Sequence, residues 1–342
     1  MSIERRNLGR SGLRVTRLAL GAMTFGEAKG FMKGVTSEDA EARRVFDRAL
    51  DAGIELIDTA NVYSEGRSEE LLGQWLQGKR DRVVLATKCR FPTEGLTAEV
   101  GAHEQGLSRK AILAACEASL RRLRTDHLDL YQVHMQDRSV PIEETLSALD
   151  DLVRQGKVRY VGCSNYAAYR LVESLWAADR RGLEPFSSIQ LQWSLAYRDC
   201  ERELVPAARQ FGLGVLVWSP LARGFLTGKY VRGQPAPKGA RLEAWTDTYK
   251  AIDTLKNWAT LARVRELAEV HQTTPAAIAL AWLLARPEVT SILVGARSVG
   301  QIDENLAALQ ITLAPEELRA LDALSAPDWG YPYEFIGRHE PW

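Results

Sequence analysis

The sequence predicts an α/β protein folded as a closed (β/α)8 TIM barrel. Eight short apolar runs of strand type alternate along the 342 residues with longer segments whose apolar positions follow helical spacing. Several runs are apolar at successive positions, as strands buried on both faces must be. Because no stretch rich in Pro, Gly or Ser divides the chain, we expect all eight units in one domain over residues 1–342.

The predicted strands and helices follow one another in a regular order. The strands are Leu18–Gly21, Leu56–Asp58, Val83–Lys88, Leu128–His134, Val158–Cys163, Ile189–Leu191, Val215–Trp218 and Ser291–Val294. One intervening helix is indicated by an apolar stripe at i, i+4, i+7 and i+11, formed by Ile142, Leu146, Leu149 and Val153. Thr36, three residues before Asp39, is a candidate cap for the first helix, and Ser108 is a candidate cap for another.

Three segments lie outside this alternation. Residues 3–16 predict a hairpin that turns at Gly9-Arg10-Ser11-Gly12 and covers the floor of the barrel. The connection over residues 219–257 is long, and loops of that length are usually functional or disordered. Residues 326–342 carry aromatic side chains, so we expect this C-terminal tail to fold over an apolar surface. The aromatic residues of the tail are Trp329, Tyr331, Tyr333, Phe335 and Trp342.

An open, doubly wound sheet is the alternative to the barrel. Such a sheet usually carries G-x-G-x-x-G directly after its first strand, where it binds a dinucleotide. Here the first strand leads into Gly21-Ala22-Met23-Thr24-Phe25-Gly26, which does not fit that pattern. The pair Gly212-Leu213-Gly214 precedes a strand instead of following one. The barrel is therefore favoured.

The composition argues against several classes of function. The chain has 44 Lys and Arg against 44 Asp and Glu, so its charge gives no reason to expect nucleic acid or an anionic membrane as a partner. The four cysteines form no C-x-x-C pair and are expected to be reduced thiols of a cytoplasmic protein. Residues 1–6 lack the apolar stretch of a signal peptide. The run from Ala276 to Ala285 is about half the ~20 residues that a membrane span needs.

Four polar residues are placed to meet at one end of the predicted barrel. Asp58, Lys88 and His134 end the second, third and fourth strands, and Tyr63 lies in the loop after the second. The carboxyl ends of barrel strands form the active-site rim. Taken singly, Asp58 and Lys88 are most simply a structural ion pair, and Tyr63 and His134 are ordinary rim residues. Their coincidence at one rim favours a shared chemical role.

Together these side chains suit the delivery of a proton to a carbonyl oxygen. A tyrosine with a pKa of ~10 is a poor acid at neutral pH, and a nearby ammonium lowers that pKa. Asp58 would hold Lys88 charged, and His134 would orient the substrate oxygen through a hydrogen bond. Proton delivery alone does not reduce a carbonyl, so the reaction needs a hydride source that no side chain supplies.

Five ordered stretches of the chain resemble the aldo-keto reductase superfamily, and the resemblance runs from about Leu8 to Leu309. Gly53–Tyr63 is similar to its G-x-x-x-x-D-T-A-x-x-Y segment, and Gly156–Asn165 is similar to its G-K-[IV]-R-x-[IV]-G-x-S-N segment. The other three stretches resemble its lysine strand, its histidine strand and its W-S-P-L-A-x-G-x-L-T-G-K-Y segment. They are Val84–Lys88, Asp129–His134 and residues 218–230.

The resemblance implies a barrel that binds a nicotinamide dinucleotide, most often NADPH, without a Rossmann fingerprint. It makes Tyr63 the general acid, with Asp58 and Lys88 tuning it and His134 orienting the carbonyl. It also implies which residues bind the cofactor. These are Gly21, Thr24, Asp58, Ser164, Asn165, Gln190, Trp218, Ser219, Leu221, Gly224, Lys229, Gly295, Arg297, Gln301, Glu304 and Asn305.

Parts of this set are implied to contact different parts of the cofactor. Trp218 would stack on the nicotinamide ring, and the loop from Ser219 to Lys229 would contact the pyrophosphate. The carboxamide would be held by Ser164, Asn165 and Gln190.

The adenosine-phosphate end is implied to lie at Gly295–Asn305, which follows the eighth strand and opens a helix. Arg297 would pair with a 2′-phosphate, so NADPH is favoured; without that contact NADH would be tolerated. Arg241 is a further candidate for a phosphate contact, on a looser alignment.

The carbonyl substrate and the oligomeric state are left open. The substrate pocket would be lined by the loop from Met23 to Val35, by Phe91, Met135 and Gln136, and by the aromatic tail. A nucleotide-binding regulatory subunit similar to potassium-channel β subunits is the alternative to a reductase. A barrel lyase, isomerase or metal hydrolase is a third interpretation. The five histidines form neither H-x-H nor H-E-x-x-H, so we expect no metal site.

Overall fold

The computed structural model of the protein describes residues 3–30, 32–96, 98–101 and 103–340. Of the residues named above, Trp342 of the aromatic tail lies outside the described residues, as does residue 31 within the Met23–Val35 loop.

Eight parallel strands close into a barrel, which confirms the predicted (β/α)8 fold. A two-stranded antiparallel hairpin, β1 (Arg5–Asn7) and β2 (Arg14–Thr16), precedes it. The barrel strands are β3 (Leu18–Gly21), β4 (Leu56–Asp58), β5 (Val84–Cys89), β6 (Leu128–Val133), β7 (Val158–Ser164), β8 (Ser188–Gln192), β9 (Gly214–Trp218) and β10 (Val289–Val294). Barrel strands that are consecutive in the sequence pair with one another, and β10 pairs with β3 to close the barrel.

The helices are α1 (Asp39–Asp51), α2 (Arg67–Trp75), α3 (Arg109–Leu123), α4 (Ile142–Arg154), α5 (Ala168–Arg181), α6 (Leu204–Phe211), α7 (Arg241–Ala244), α8 (Thr246–Ile252), α9 (Leu255–Val270), α10 (Pro275–Leu284), α11 (Val299–Ala307), α12 (Pro315–Ser325) and α13 (Tyr333–His339). The stripe predicted for α4 packs into the core. Ser108 caps α3 as predicted, because its hydroxyl accepts a hydrogen bond from the Ala111 amide. The cap predicted at Thr36 is wrong: α1 begins after Glu38, and the Thr36 hydroxyl accepts from the Ala28 amide instead.

Successive strand residues face opposite sides of the barrel wall, as the period of two requires. Leu18 and Leu20 pack outward against the helices, whereas Ala19 points inward. The hairpin contributes Leu8 and Val15 to this inner cluster, so it plugs the end of the barrel where the strands begin. The cluster comprises Leu8, Val15, Ala19, Leu56, Ala86, Leu130, Leu216 and Leu293.

The hairpin turn approaches the start of β9 so closely that a side chain is excluded. A Cβ atom at Gly9 would lie 2.4 Å from the Gly212 carbonyl oxygen, and the φ of Gly9 is +61°. The Arg10 amide also donates to the Gly212 carbonyl at 2.9 Å. With the floor closed by the hairpin, the carboxyl ends of the strands form the open face of the barrel.

The two remaining irregular segments are more regular than their sequence indicates. Residues 219–257 contain a 3-10 turn at Ala222–Thr227 and the short helices α7 and α8. The C-terminal tail forms α13, but Tyr331 and Phe335 are 90% and 61% exposed. The prediction that the tail folds over an apolar surface is therefore wrong for these two rings. No helix in the described part of the chain is long and apolar enough to cross a membrane.

Candidate active site

Asp58, Lys88 and Tyr63 meet at the carboxyl ends of β4 and β5. The Lys88 ammonium donates to Asp58 Oδ1 at 2.5 Å, to the Thr59 carbonyl at 2.8 Å and to the Tyr63 hydroxyl at 3.3 Å. Lys88 is 0% exposed and Asp58 is 2% exposed. A buried charge is tolerated only when it is paired, and here the pair is also hydrogen-bonded on every side. The structure thus brings together Asp58, Lys88 and Tyr63, three of the four residues that the sequence places at this rim.

The second oxygen of Asp58 is held by two glutamines from inside the barrel. The side-chain amides of Gln132 and Gln190 each donate to Asp58 Oδ2 at 2.9 Å, and Gln190 also donates to Gln132 Oε1 at 3.1 Å. The Gln190 amide nitrogen is therefore engaged with the Asp58 carboxylate. Sequence reasoning missed Gln132, although a position two residues before His134 in a predicted strand puts both side chains on the same side of the chain.

Burial and the neighbouring charges act in opposite directions on the pKa values of Lys88 and Tyr63. Burial disfavours the Lys88 ammonium, but Asp58 and Tyr63 outweigh it and raise the pKa of Lys88 above its usual value. Burial raises the pKa of Tyr63, and the Lys88 charge opposes this only in part. The predicted lowering by a nearby ammonium is present, but burial outweighs it, so the pKa of Tyr63 is raised overall. Lys88 still limits how far burial raises it.

His134 lies beside Tyr63 at the same rim, directly after β6. The ring centroids of His134 and Tyr63 are 5.7 Å apart, and those of His134 and Phe91 are 5.2 Å apart. Burial, together with the charges of Lys88 and Arg90, lowers the pKa of His134 well below its usual range. The imidazole is thus neutral at pH 7, and its Nδ1 atom is buried without a hydrogen-bond partner. A neutral imidazole retains one N–H group, which can donate a hydrogen bond to a ligand oxygen.

The loop that carries Tyr63 is strained and ties down the loop after β3. Ser64 and Glu65 have φ values of +48° and +52°, in the left-handed region that these residues rarely adopt. The Ser64 hydroxyl donates to the Phe25 carbonyl at 2.8 Å. The Glu65 carboxylate accepts from the Lys29 and Gly30 amides, both at 3.2 Å. Sequence reasoning missed Glu65, because nothing in its neighbours indicates a contact 35 residues away.

The ends of β7 and β9 carry further residues of the implied cofactor site. Ser164 is buried. The side-chain amide of Asn165 donates to the His134 carbonyl at 2.9 Å, and the backbone of Asn165 has a φ of +52°. Trp218 is half-buried at the end of β9, and its indole Nε1 has no hydrogen-bond partner. An indole with an unused donor at a rim is suited to a ligand that has both a flat face and acceptors.

After β9 the backbone winds through a series of left-handed residues. Ser219, Arg223 and Gly224 have φ values of +53°, +57° and +94°. The Ser219 hydroxyl accepts from the Arg223 amide at 3.0 Å, and Leu221 packs partly against the core. The Ala222 and Gly224 amides donate within the same turn, each at 2.9 Å, to the carbonyls of Ser219 and Leu221.

Three cations, Lys229, Arg241 and Arg297, lie close together beyond this turn. Burial and the nearby Arg297 lower the pKa of Arg241 to about 10. Partial burial, Arg297 and Arg241 lower the pKa of Lys229, while Glu304 opposes the shift. Among the described residues, no carboxylate lies within 4.0 Å of these three cations. This cation cluster, formed by Lys229, Arg241 and Arg297, is therefore electrostatically suited to an anion.

The loop after β10 brings the remaining implied residues to different places. The Thr24 hydroxyl donates to the Ala296 carbonyl at 3.0 Å, so it links two rim loops. A Cβ atom at Gly295 would lie 3.7 Å from the Gly21 carbonyl oxygen, so these two loops are in ordinary van der Waals contact. Asn305 is buried, whereas Gln301 and Glu304 are exposed on α11, and Gln301 Oε1 accepts from the Arg297 amide at 2.8 Å. The predicted helix opening is confirmed, because Ser298 caps α11.

The described residues contain no group of three or more His, Cys, Asp or Glu side chains that is arranged to hold a metal ion.

Comparison with known proteins identifies the class. The family model described as "Aldo/keto reductase family" matches residues 17–326. The chain is 40% identical to the "Uncharacterized oxidoreductase YrpG" of Bacillus subtilis, over 92% of this chain and 94% of that protein. It is 35% identical to the "Versiconal hemiacetal acetate reductase" of Aspergillus parasiticus, over 97% of this chain and 100% of that protein. It is also 37% identical to the "Aldo-keto reductase dtxS3" of Metarhizium robertsii, over 94% and 90% of the two chains.

The chain belongs to the aldo/keto reductase family and is an oxidoreductase. Proteins of this family use a nicotinamide cofactor and act on small-molecule carbonyl compounds, so carbonyl reduction is the activity that the family supports. The relatives carry the names of reductases and dehydrogenases, and the alternative of a regulatory subunit is not favoured.

Proposed function

We propose that this protein is an NADPH-dependent reductase of aldehydes or ketones, with Tyr63 as the general acid. The observation that carries the proposal is the position of the Lys88 ammonium, which bridges the Asp58 carboxylate and the Tyr63 hydroxyl in a buried site. A phenol that loses its proton there becomes a phenolate directly beside a cation. This arrangement makes proton delivery feasible in spite of the burial of Tyr63.

Each side chain of the site has a defined part in the proposed reaction. The bound nicotinamide supplies the hydride that no side chain can supply. Tyr63 donates its proton to the carbonyl oxygen as that oxygen becomes an alkoxide, and Lys88 stabilises the phenolate that remains. Asp58 holds Lys88 charged and in position. His134, being neutral, hydrogen-bonds the carbonyl oxygen and orients it.

The residues at the other side of the rim fit a dinucleotide phosphate. No described carboxylate lies within 4.0 Å of the cation cluster of Lys229, Arg241 and Arg297, so a 2′-phosphate would relieve the repulsion among these charges. This favours NADPH over NADH. The turn from Ser219 to Gly224 would contact the pyrophosphate, and Trp218 would stack on the nicotinamide.

We revise two of the implied contacts, those of Gln190 and Thr24. Ser164 and Asn165 would hold the carboxamide, whereas Gln190 would act through Asp58, because its amide nitrogen is engaged there. Thr24 would shape the rim through its hydrogen bond to the Ala296 carbonyl.

We also propose a cytoplasmic location, since all four cysteines are free and buried.

The test combines cofactor binding with single-turnover reduction. Tryptophan fluorescence should be quenched by NADPH, and more weakly by NADH, in the wild type and in Tyr63→Phe alike. With a panel of aldehydes and ketones, Tyr63→Phe should lower the single-turnover rate by roughly 10²–10⁴-fold. Tyr169→Phe, on an exposed residue of α5, is the matched control and should keep the wild-type rate. Full activity of Tyr63→Phe with bound NADPH would rule out this tyrosine as the acid.

A further inference from the structure

Arg90 occupies an unusual position two residues after Lys88, where β5 ends at the rim. Its φ is +121°, a backbone conformation that a residue with a side chain rarely adopts. The Gly106 amide donates to the Arg90 carbonyl at 2.8 Å and fixes the backbone there. Strained residues of this kind cluster at ligand-binding sites, where the surrounding structure holds them in place.

The Arg90 guanidinium packs on the ring of Phe91, which in turn contacts His134. Its carbon atom lies 4.7 Å from the centroid of the Phe91 ring, and that ring meets His134 at 5.2 Å. The charge of Arg90 contributes, after burial and Lys88, to the low pKa of His134. Arg90 is therefore close enough to the reacting groups to contact a substrate that His134 holds.

The guanidinium has no acceptor in the described part of the chain. Its Nε atom is buried without a hydrogen-bond partner, and no described carboxylate lies within 4.0 Å of it. The charge of Arg90 contributes to the lowered pKa of Asp137. That carboxylate, however, accepts hydrogen bonds from the Ser139 hydroxyl and the Leu107 amide and not from Arg90. A buried donor that lacks a partner is costly, which indicates that a ligand supplies the acceptor.

The cofactor is not the source of this acceptor. In the strand order of the barrel, β5 and β9 are four strands apart and thus lie on opposite sides. The cation cluster proposed for the phosphate follows β9 and β10, so Arg90 and that cluster face each other across the rim. An anion on the Arg90 side comes with the substrate.

We propose that Arg90 binds a carboxylate of the substrate, so that the enzyme prefers carbonyl compounds that also carry a carboxylate group. A guanidinium pairs with a carboxylate through two parallel hydrogen bonds, and Phe91 beneath it restricts its orientation. The ring of Phe91 also offers an apolar wall to the body of the substrate. This inference rests on the proposed carbonyl reductase activity, because it assigns the substrate class of the same site.

The test measures binding separately from turnover. The probes are 3- and 4-(hydroxymethyl)benzoate and the corresponding neutral carboxamides, titrated by calorimetry into the NADPH-bound protein. At least one benzoate should bind at least tenfold more tightly than its carboxamide. Arg90→Gln should remove this difference, Arg90→Lys should retain part of it, and Arg138→Gln, at an exposed position nearby, should leave it unchanged.

A glycine variant separates recognition from folding. Arg90→Gly suits a φ of +121°, so it should be at least as stable as the wild type while it loses the preference for the benzoates. Equal binding of benzoates and carboxamides, or no binding of either, would overturn the inference. If the benzoates bind selectively but the matching carboxybenzaldehydes are not reduced, the substrate site stands and the proposed reaction fails.

Discussion

Two charged regions at the same end of the barrel are built in opposite ways. Around Asp58, every charge has a partner: Lys88 lies 2.5 Å from one carboxylate oxygen, and two glutamines donate to the other. In the cation cluster of Lys229, Arg241 and Arg297, like charges lie together with no described carboxylate within 4.0 Å. The first region is complete without a ligand, whereas the second is not.

The two regions differ because one is proposed to carry out the chemistry and the other to bind the cofactor phosphate. A proton donor must be oriented before the substrate arrives, because reorganisation during the reaction would cost rate. A phosphate site is instead stabilised by the ligand, and its unpaired cations create the affinity. Removing a charge should therefore have opposite consequences in the two regions: it should destabilise the folded protein at Asp58 and Lys88, and leave it nearly unchanged in the cation cluster.

The largest effect is expected for Lys88→Met. The substitution leaves the Asp58 carboxylate buried with only neutral donors, which should cost on the order of 3–5 kcal/mol in the free energy of unfolding. It also removes the cation that stabilises the Tyr63 phenolate, so the rate of carbonyl reduction should fall roughly 10³-fold or more. Urea denaturation and single-turnover kinetics measure the two effects.

A double variant distinguishes these two roles of Lys88. Asp58→Asn combined with Lys88→Met removes both charges, so most of the lost stability should return while the rate stays low. If Lys88→Met alone unfolds at the same urea concentration as the wild type, the pair does not stabilise the fold and the contrast between the two regions fails.

Arg297→Ala tests the second region. Loss of a charged hydrogen bond to a 2′-phosphate should weaken NADPH binding by roughly 10–100-fold and leave NADH binding unchanged. The free energy of unfolding should change by less than about 1 kcal/mol, because relief of repulsion from Lys229 and Arg241 offsets the lost bond to the Gly239 carbonyl. Fluorescence titration with both cofactors and urea denaturation provide the measurements.

The control for Arg297 is Lys238→Ala, which removes an exposed cation from the neighbouring loop. It should leave the ratio of NADPH to NADH affinity as in the wild type. An equal loss of affinity for both cofactors in Arg297→Ala would show that this arginine does not bind the 2′-phosphate.

Most of the fold was predictable because a barrel strand is buried on both faces. Each of the eight predicted strands is present, with its ends within two residues of the prediction. The meeting of Asp58, Lys88 and His134 was predictable for a related reason, since the carboxyl ends of parallel strands in a closed barrel must converge.

Three features depend on packing that no local pattern encodes. Gln190 and Asp58 are 132 residues apart in the sequence. They form a hydrogen bond because β8 and β4 face each other across the barrel interior. The direction of the Tyr63 pKa shift depends on how deeply the hydroxyl is buried. The exposure of Tyr331 and Phe335 shows that an aromatic composition does not by itself predict burial.

The pH dependence of stability should carry a contribution from His134. An unfolded histidine takes up a proton near pH 6.5, whereas burial, Lys88 and Arg90 keep His134 neutral well below that pH. The unfolded state thus binds more protons as the pH falls, and the stability present above pH 6.5 is lost. Between pH 7.5 and 5.5 the wild type should lose about 1.4 kcal/mol more than His134→Gln, as measured by urea denaturation. Equal losses in the two proteins would contradict a neutral buried imidazole.

The smallest effect is expected for Glu65→Gln, at the contact between the two loops over the site. The carboxylate accepts from the Lys29 and Gly30 amides, and a neutral amide oxygen replaces it only in part. A loss of about 1 kcal/mol in loop contacts corresponds to a roughly fivefold fall in kcat/KM, together with faster protease cleavage of the loop after β3. Glu27→Gln, at an exposed position on that loop, should change neither quantity. If Glu65→Gln behaves as Glu27→Gln does, the Glu65 carboxylate does not hold the neighbouring loop.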